Sequence, residues 1–481
     1  MNKGIIRYII GISMMIYGGF MLIPYIVSLI YGEAQGVYFL NIGAASFTVG
    51  AIIAYCKKYD NNNMFSKEGL FIVAICWIIF SLIGALPFYL SGEIPDYIDA
   101  LFEICSGFTT TGATILPVVE NLSKCMLFWR CFSIWLGGMG ILVFIMAILP
   151  LAGGQHNMHL MKAESTGPMV GKLVPKLKNT ASLLYTSYFL LTILEFVFLL
   201  IGKMSVFDAL TLSFSTIGTG GFTNANAGIG VYSNYIQNVI AIFMVLGGTN
   251  FSLYFYVVAK KFKDILHLEE VFWYIGILAV STLFVSVNVL GGFASYSDSL
   301  HHSFFQVSSI MTSTGFTTVD YDLWPEFSKT ILVIVMCIGA CAGSTGGGFK
   351  VIRVLVLTKH ALNSMSKVLH PRNVKTVLLG GKRIEDKTLA SIGSYLFLYI
   401  CIFILSVLII SLDGFDFFTN FSSVAATFNN TGPGFNLVGP TMNYANFSHL
   451  SKVVLVIDML AGRLEIFPIL VLFSPSFWTK R

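Results

Sequence analysis

Charge is what this sequence has least of. Only 11% of its 481 residues are Asp, Glu, Lys or Arg, against 56% hydrophobic, and the mean hydropathy is +0.79. A soluble chain needs about 25% charged residues to keep its surface wet, so the composition excludes a soluble domain and implies a polytopic membrane protein. Cysteine is also sparse: the eight are scattered through apolar segments. Cys337 and Cys341 share a helix face, but no further His or Cys lies near enough in sequence to suggest a metal site, and the cysteines read as small buried hydrophobes. No set of His, Cys, Asp or Glu converges within the spans, so a membrane-embedded enzyme is not expected. The net charge of +5 is spread over short loops, which is a topology signal and not a nucleic-acid footprint. The N-terminus lacks a small-residue cleavage site and reads as a first spanning helix in place of a signal peptide.

What the sequence has in abundance is long apolar runs. They predict ten spans, near 5–31, 37–56, 69–91, 125–150, 182–202, 232–259, 271–293, 328–357, 390–412 and 450–473. All but Lys124, Arg130, Lys203, Lys329, Lys452 and Arg463 of the 29 basic residues fall on one side of that topology. The positive-inside rule then puts both termini in the cytoplasm of a cell whose inner (plasma) membrane holds the chain. On the other side lie Asp96, Asp99, Asp208, Asp298, Asp322, Asp413, Asp416 and their neighbours. Asp99, Asp208, Asp298 and Asp416 stand where helix N-caps are wanted, and the group as a whole reads as an outer vestibule that concentrates cations.

Four short polar runs recur: FTTTGAT from Phe108, FSTIGTGGF from Phe214, TSTGFTT from Thr312 and FNNTGPGF from Phe428. Their glycines, read as Gly112, Gly218, Gly315 and Gly432, are 106, 97 and 117 residues apart. Each run follows an apolar segment too short to cross a membrane and precedes one that is long enough. Non-helical backbone at that depth must be buried in protein or line water. The predicted fold is therefore all-α: two N-terminal helices (residues 1–60), then four tandem units of span, pore helix, filter loop and span. The units, at 68–155, 182–262, 269–365 and 388–474, have pseudo-fourfold symmetry about one pore. Glycine lets backbone carbonyls face inward, and a ring of carbonyls replaces the water shell of a bare cation.

Two further features lie past the third and fourth loops. Three consecutive glycines in GSTGGGFK, Gly343–Lys350, must interrupt the second span of the third unit. The lysine placement and the lack of a preceding strand exclude a phosphate-binding loop. Lys350 reads either as a lysine snorkelling from a helix end or as a charge facing the pore. Arg463 is the one basic residue deep in a span, where an unpaired charge costs at least ~2.5–3.5 kcal/mol. The carbonyls of the glycine-rich loop are its expected partners. Glu195, also mid-span, reads equally as a proton-coupling carboxylate or as a polar group bonded to a neighbouring helix.

With the four loops, CAGSTGGGFK at Cys341–Lys350 and GRLEIF at Gly462–Phe467, the chain resembles the TrkH/TrkG potassium-uptake family over its whole length. That family belongs to a superfamily with KtrB and the plant HKT transporters, and the two extra N-terminal spans favour the TrkH/TrkG branch. The resemblance implies K⁺ held by loop carbonyls at Thr110-Thr111-Gly112, Thr216-Ile217-Gly218, Ser313-Thr314-Gly315 and Asn430-Thr431-Gly432. Gly112, where Na⁺-preferring plant members tend to carry Ser, favours K⁺. It also implies an intramembrane gating loop at 339–350 (Gly343, Gly346, Gly347, Gly348 and Lys350, with Arg463), no organic cofactor and a homodimer. A cytosolic TrkA-like regulator with nucleotide-binding RCK domains would dock on the basic segment from Lys359 to Lys387. A proton- or Na⁺-coupled symporter is the alternative to a channel-like uptake path.

Overall fold

The computed structural model describes residues 2–56, 66–138, 140, 177–370, 376–473 and 475. Outside them lie the predicted first-unit span beyond Gly140 and the basic residues Lys57, Lys58, Lys162, Lys172, Lys176, Arg372, Lys375, Lys480 and Arg481. Two antiparallel elements open the chain, Lys3–Tyr31 (Lys3–Phe20 continued by Leu22–Tyr31) and Gly36–Tyr55. Glycine lets their backbones touch. A Cβ on Gly11 would come within 2.6 Å of the Gly50 carbonyl, and one on Gly43 within 2.9 Å of the Gly18 carbonyl. Such small-residue seams drive helix association where lipid removes the hydrophobic effect. The pair packs on the first unit through Tyr17, whose hydroxyl donates to the Phe80 carbonyl (2.9 Å) and whose ring stacks on Phe80.

Four units follow, each with a long first span, a short helix, a loop and a second span. The first spans are Ser66–Ser91, Leu177–Ile201, Glu269–Asn288 and Asp386–Ile410. The short helices are Tyr97–Phe108, Val206–Ile217, Tyr296–Met311 and Phe417–Phe428. Their N-caps are Asp96, Ser205, Ser295 and Asp416. Only one of the four expected caps is therefore a cap. Asp99, Asp208 and Asp298 stand three residues further on, inside the first turn. Asp208 and Asp298 accept from the cap hydroxyls of Ser205 (2.8 Å) and Ser295 (2.9 Å), a reciprocal arrangement suited to the positive helix end.

The second spans differ most from expectation. Among the described residues, six elements are long and apolar enough to cross a membrane, or seven if one bent pair counts as a span. The count falls short of ten because the second spans of the second, third and fourth units are broken and that of the first is described only to Gly140. In the second unit, Asn234–Gly247 and Ser252–Val258 are bent by 96°. In the third, Glu326–Ile338 and Val351–Leu369 flank the expected loop; in the fourth, His449–Arg463 and Phe467–Phe473 are parted at Glu465 and Ile466, both left-handed (φ 62° and 61°). The first unit's second span, Lys124–Gly138, is followed by Gly140 at φ 81°. Each break orphans last-turn carbonyls. Tyr188 donates to the Trp135 carbonyl (2.9 Å) and Tyr274 to the Val245 carbonyl (3.2 Å), each from the first span of the next unit. One small hairpin, Leu378–Leu379 with Lys382–Arg383, departs from an all-helical fold; it turns on Gly380-Gly381, both at positive φ.

Candidate functional site

All four short helices end in the same way. After their last residues Phe108, Ile217, Met311 and Phe428 come the C-caps Thr109, Gly218, Thr312 and Asn429. The next residues, Thr110, Thr219, Ser313 and Asn430, are left-handed at φ 53–56°. The residues after those send their N–H back to the carbonyls of Ser106, Ser215, Ser309 and Ala426 at 2.7–2.9 Å. This is the Schellman helix ending, which ordinarily recruits glycine at the left-handed position. A Thr or Ser there costs about 1–2 kcal/mol, so strain is held in three quarters, while Asn430 in the fourth is a residue that tolerates the conformation. Two residues further on lie Gly112, Gly221, Gly315 and Gly432, again at positive φ (65–94°).

The second loop is therefore displaced by three residues from its sequence assignment. Thr216 and Ile217 are the last helical residues and Gly218 is a helical cap at φ −70°. The residues with the conformation of Thr110-Thr111-Gly112 are Thr219-Gly220-Gly221. A usable signal was the aromatic after the glycine, since Gly221-Phe222 matches Gly315-Phe316.

The four loops close on one another. A Cβ on Gly112 would run into the Gly220 carbonyl, one on Gly221 into that of Thr314, and one on Gly315 into that of Thr431. A Cβ on Gly432 would lie 2.6 Å from the Thr111 oxygen, which completes the cycle. Outside the ring is a cavity of about 130 Å³ bordered by these four glycines, with Thr114, Thr223, Thr317 and Asn443 around it and no acidic residue among its lining. The acids of the expected vestibule are engaged elsewhere: Asp99 with Lys452 (2.5 Å), Asp96 with His449 (3.3 Å), and Asp322 with Lys329 (3.7 Å). His301 sits between Asn238 (3.1 Å) and Gln237 (2.8 Å), and His302 on Thr318 (3.0 Å). No metal-ligating cluster occurs among the described residues.

On the other side of the ring lies the glycine loop 339–350. A Cβ on Gly346 would be 2.7 Å from the Thr312 carbonyl and one on Gly347 would meet that of Asn429. The Gly347 N–H donates to the Ser313 hydroxyl, and the Lys350 ammonium to the Gly346 carbonyl. Lys350 is buried, with φ at 81°, and neither snorkels nor reaches solvent. The loop also grips the second unit's break: Cys341 N–H donates to the Gly248 carbonyl, Phe251 N–H to that of Gly343 (both 3.1 Å), and the Thr345 hydroxyl to that of Gly247 (3.1 Å). Arg463 donates from Nη1 to the Thr345 carbonyl (2.7 Å) and from Nη2 to the carbonyls of Gly137 and Gly138. One buried guanidinium at the fourth unit's break thus joins the loop to the end of the first unit's helix Lys124–Gly138.

Several supporting residues escaped the sequence reading. Glu270 accepts from the Ala342 N–H (2.6 Å) and the Asn250 amide (3.3 Å), holding the start of the loop. Arg353 pairs with Glu465 at the fourth break. Arg130 pairs with Glu103 behind the first loop (2.8 Å). Glu270 stands in the first turn of a span, where an acid is common, and the other pairs are distant in sequence. Glu195 is fully buried in the second unit's first span, and Asp458 is buried against the Ser406 hydroxyl (2.8 Å).

Comparison with known proteins agrees with this architecture. The family model for TrkH, described as a cation transport protein, matches residues 35–480. The Trk system potassium uptake protein TrkH of Salmonella typhimurium is 38% identical over 484 residues, 99% of each chain. The Trk system potassium uptake protein TrkG of Escherichia coli is 34% identical over 98% of each. The crystal structure of the potassium transporter TrkH from Vibrio parahaemolyticus superposes with a TM-score of 0.89 over the whole of both chains, at 33% identity. With its length, its four-unit fold and its sequence all matching, the chain belongs to the TrkH family of cation transport proteins.

Proposed function

We propose that this chain takes up K⁺ across the cytoplasmic membrane through a channel-like path whose selective element is the ring of four loops. The observation that carries the proposal is the closed cycle in which each loop's glycine lies against a carbonyl of the next. Carbonyls of Thr110-Thr111-Gly112, Thr219-Gly220-Gly221, Ser313-Thr314-Gly315 and Asn430-Thr431-Gly432 would take the place of the ion's water shell. All four short helices end at the ring, so their negative ends favour a cation there without any acidic side chain. The relatives' names, which specify potassium uptake and the Trk system, support K⁺ as the cargo.

Gating in this reading belongs to loop 339–350. Gly343 and Gly346–Gly348 let it pass beneath the ring, Lys350 puts a positive charge there, and Arg463 pins it to two other units. The basic segment from Lys359 to Lys387 is the docking face for a cytosolic TrkA-like RCK subunit, the assembly is a homodimer, and both termini are cytoplasmic. Coupled symport has one observation in its favour: two buried carboxylates, Glu195 and Asp458, within spans. The test is ⁸⁶Rb⁺ flux into liposomes holding the purified chain, at equal pH on both sides and without Na⁺. Flux that reverses with the K⁺ gradient alone supports the channel-like path; flux that requires a proton or Na⁺ gradient supports symport.

A further inference from the structure

We propose that Glu103 and Arg130 are positioning residues for ion selection, a buried ion pair that clamps the outer ends of the first two loops; the proposal rests on the selective-ring reading above. Both side chains are essentially inaccessible (0% and 1%). Glu103 belongs to the first short helix and Arg130 to the first unit's second span. The carboxylate accepts from Arg130 Nε and Nη2 (both 2.8 Å), from the Thr114 hydroxyl (3.0 Å) and from the Ile115 N–H (3.0 Å). Thr114 and Ile115 lie two and three residues beyond Gly112. The guanidinium has a free arm for the neighbouring unit: Nη1 donates to the Thr223 carbonyl (3.2 Å), and Cζ lies 4.1 Å from the centre of the Phe222 ring. Phe222 and Thr223 are the first and second residues beyond Gly221. One ion pair therefore holds the backbone leaving two adjacent quarters of the ring.

The clamp extends to a third quarter. Tyr444 N–H donates to the Thr114 carbonyl (2.9 Å) while its hydroxyl donates to the Gly432 carbonyl (2.8 Å). A continuous chain of bonds thus runs from the fourth loop through the first to the second. Next to their glycines the third and fourth loops are braced by neutral groups, Ser309 hydroxyl on the Phe316 carbonyl (2.6 Å), Tyr321 hydroxyl on that of Gly434 (3.0 Å), and Ser422 with Phe435; carboxylates enter at Asn436, whose N–H donates to Asp322 (2.9 Å) and whose amide donates to Asp416 (3.1 Å) near the exposed rim. A buried ion pair is a poor way to add stability, because desolvation consumes most of the attraction and an apolar replacement is often as stable. Its distinctive contribution is directional: several charge-assisted bonds fix two loop backbones in one geometry. Carbonyl spacing in the ring is the property that such fixing controls.

Two variants test this in the full-length protein reconstituted in liposomes and fused to planar bilayers. Arg130→Lys keeps the charge and loses the fork that reaches Thr223. Thr114→Val is isosteric and removes one hydroxyl from Glu103. The readouts are the K⁺/Na⁺ permeability ratio from reversal potentials and the thermal unfolding midpoint. The expected result is a ratio lowered by about tenfold, the equivalent of one hydrogen bond of differential ion binding, in protein that unfolds near the wild-type temperature. Wild-type selectivity in Thr114→Val, and in Arg130→Lys where it assembles, overturns the proposal and leaves the pair a purely structural one. A wild-type chain with no preference for K⁺ overturns the selective-ring reading itself, an outcome the same recordings separate from the first.

Discussion

Replacing Gly221 by Ala perturbs the ring at the quarter where sequence and structure disagree. Gly221 has φ 65°, so an Ala there costs about 1–2 kcal/mol in backbone strain alone. Its methyl would also fall on the Thr314 carbonyl, which has to leave its place in the ring. Displacing one coordinating oxygen by a few tenths of an ångström is expected to lower K⁺/Na⁺ discrimination at least tenfold, or about 1.4 kcal/mol. Gly218→Ala is the control. Gly218 is helical, and its methyl would meet the Ile134 side chain at 2.6 Å and the Phe214 carbonyl at 2.7 Å. That overpacking should cost about 1–3 kcal/mol of stability and leave the permeability ratio unchanged. Reversal potentials with K⁺ on one side and Na⁺ on the other read both variants. If Gly218→Ala loses selectivity and Gly221→Ala keeps it, the register argued from φ is wrong.

Three other perturbations address the rest of the structure. Arg463→Ala removes donors to the Thr345, Gly137 and Gly138 carbonyls, and should raise basal ⁸⁶Rb⁺ uptake severalfold, on the order of one or two lost charge-assisted bonds, with the K⁺/Rb⁺ preference retained. Deleting Gly346–Gly348 should also increase basal flux; a folded protein that conducts less would show that the loop is not the closed barrier. Gly50→Leu adds a side chain whose Cβ alone would lie 2.6 Å from the Gly11 carbonyl, so it forces the two helices apart and should lower the thermal midpoint in detergent while leaving the permeability ratio of reconstituted protein intact.

Much of this architecture was legible because its signals are local. The four polar runs, their near-regular spacing and the Gly346–Gly348 triplet are visible without any partner residue. The position of the Arg463 donors was approachable too, because a buried charge must find acceptors and the loop has carbonyls to offer. Other features depend on quantities that a string of letters does not carry. Gly218 and Gly221 differ in the sign of φ, not in residue type. The fourth break turns on Glu465 and Ile466, left-handed residues with no glycine to mark them, so the span looked continuous. Asp99, Asp208 and Asp298 were three residues from the true caps because Asp is favoured at both the cap and the first turn. The Glu103–Arg130 pair joins a short helix to a span across 27 residues, and only the packing of those two helices within the first unit brings its charges together.

The central claim is that four loops form one cation site, and the most direct measurement of it is anomalous diffraction from crystals of this protein grown with Rb⁺ in place of K⁺. The account predicts an anomalous peak on the pseudo-fourfold axis, surrounded by carbonyls of Thr110-Thr111, Thr219-Gly220, Ser313-Thr314 and Asn430-Thr431. A ring well ordered but empty of Rb⁺, or a peak bound instead beside Glu195 or Asp458, would contradict it.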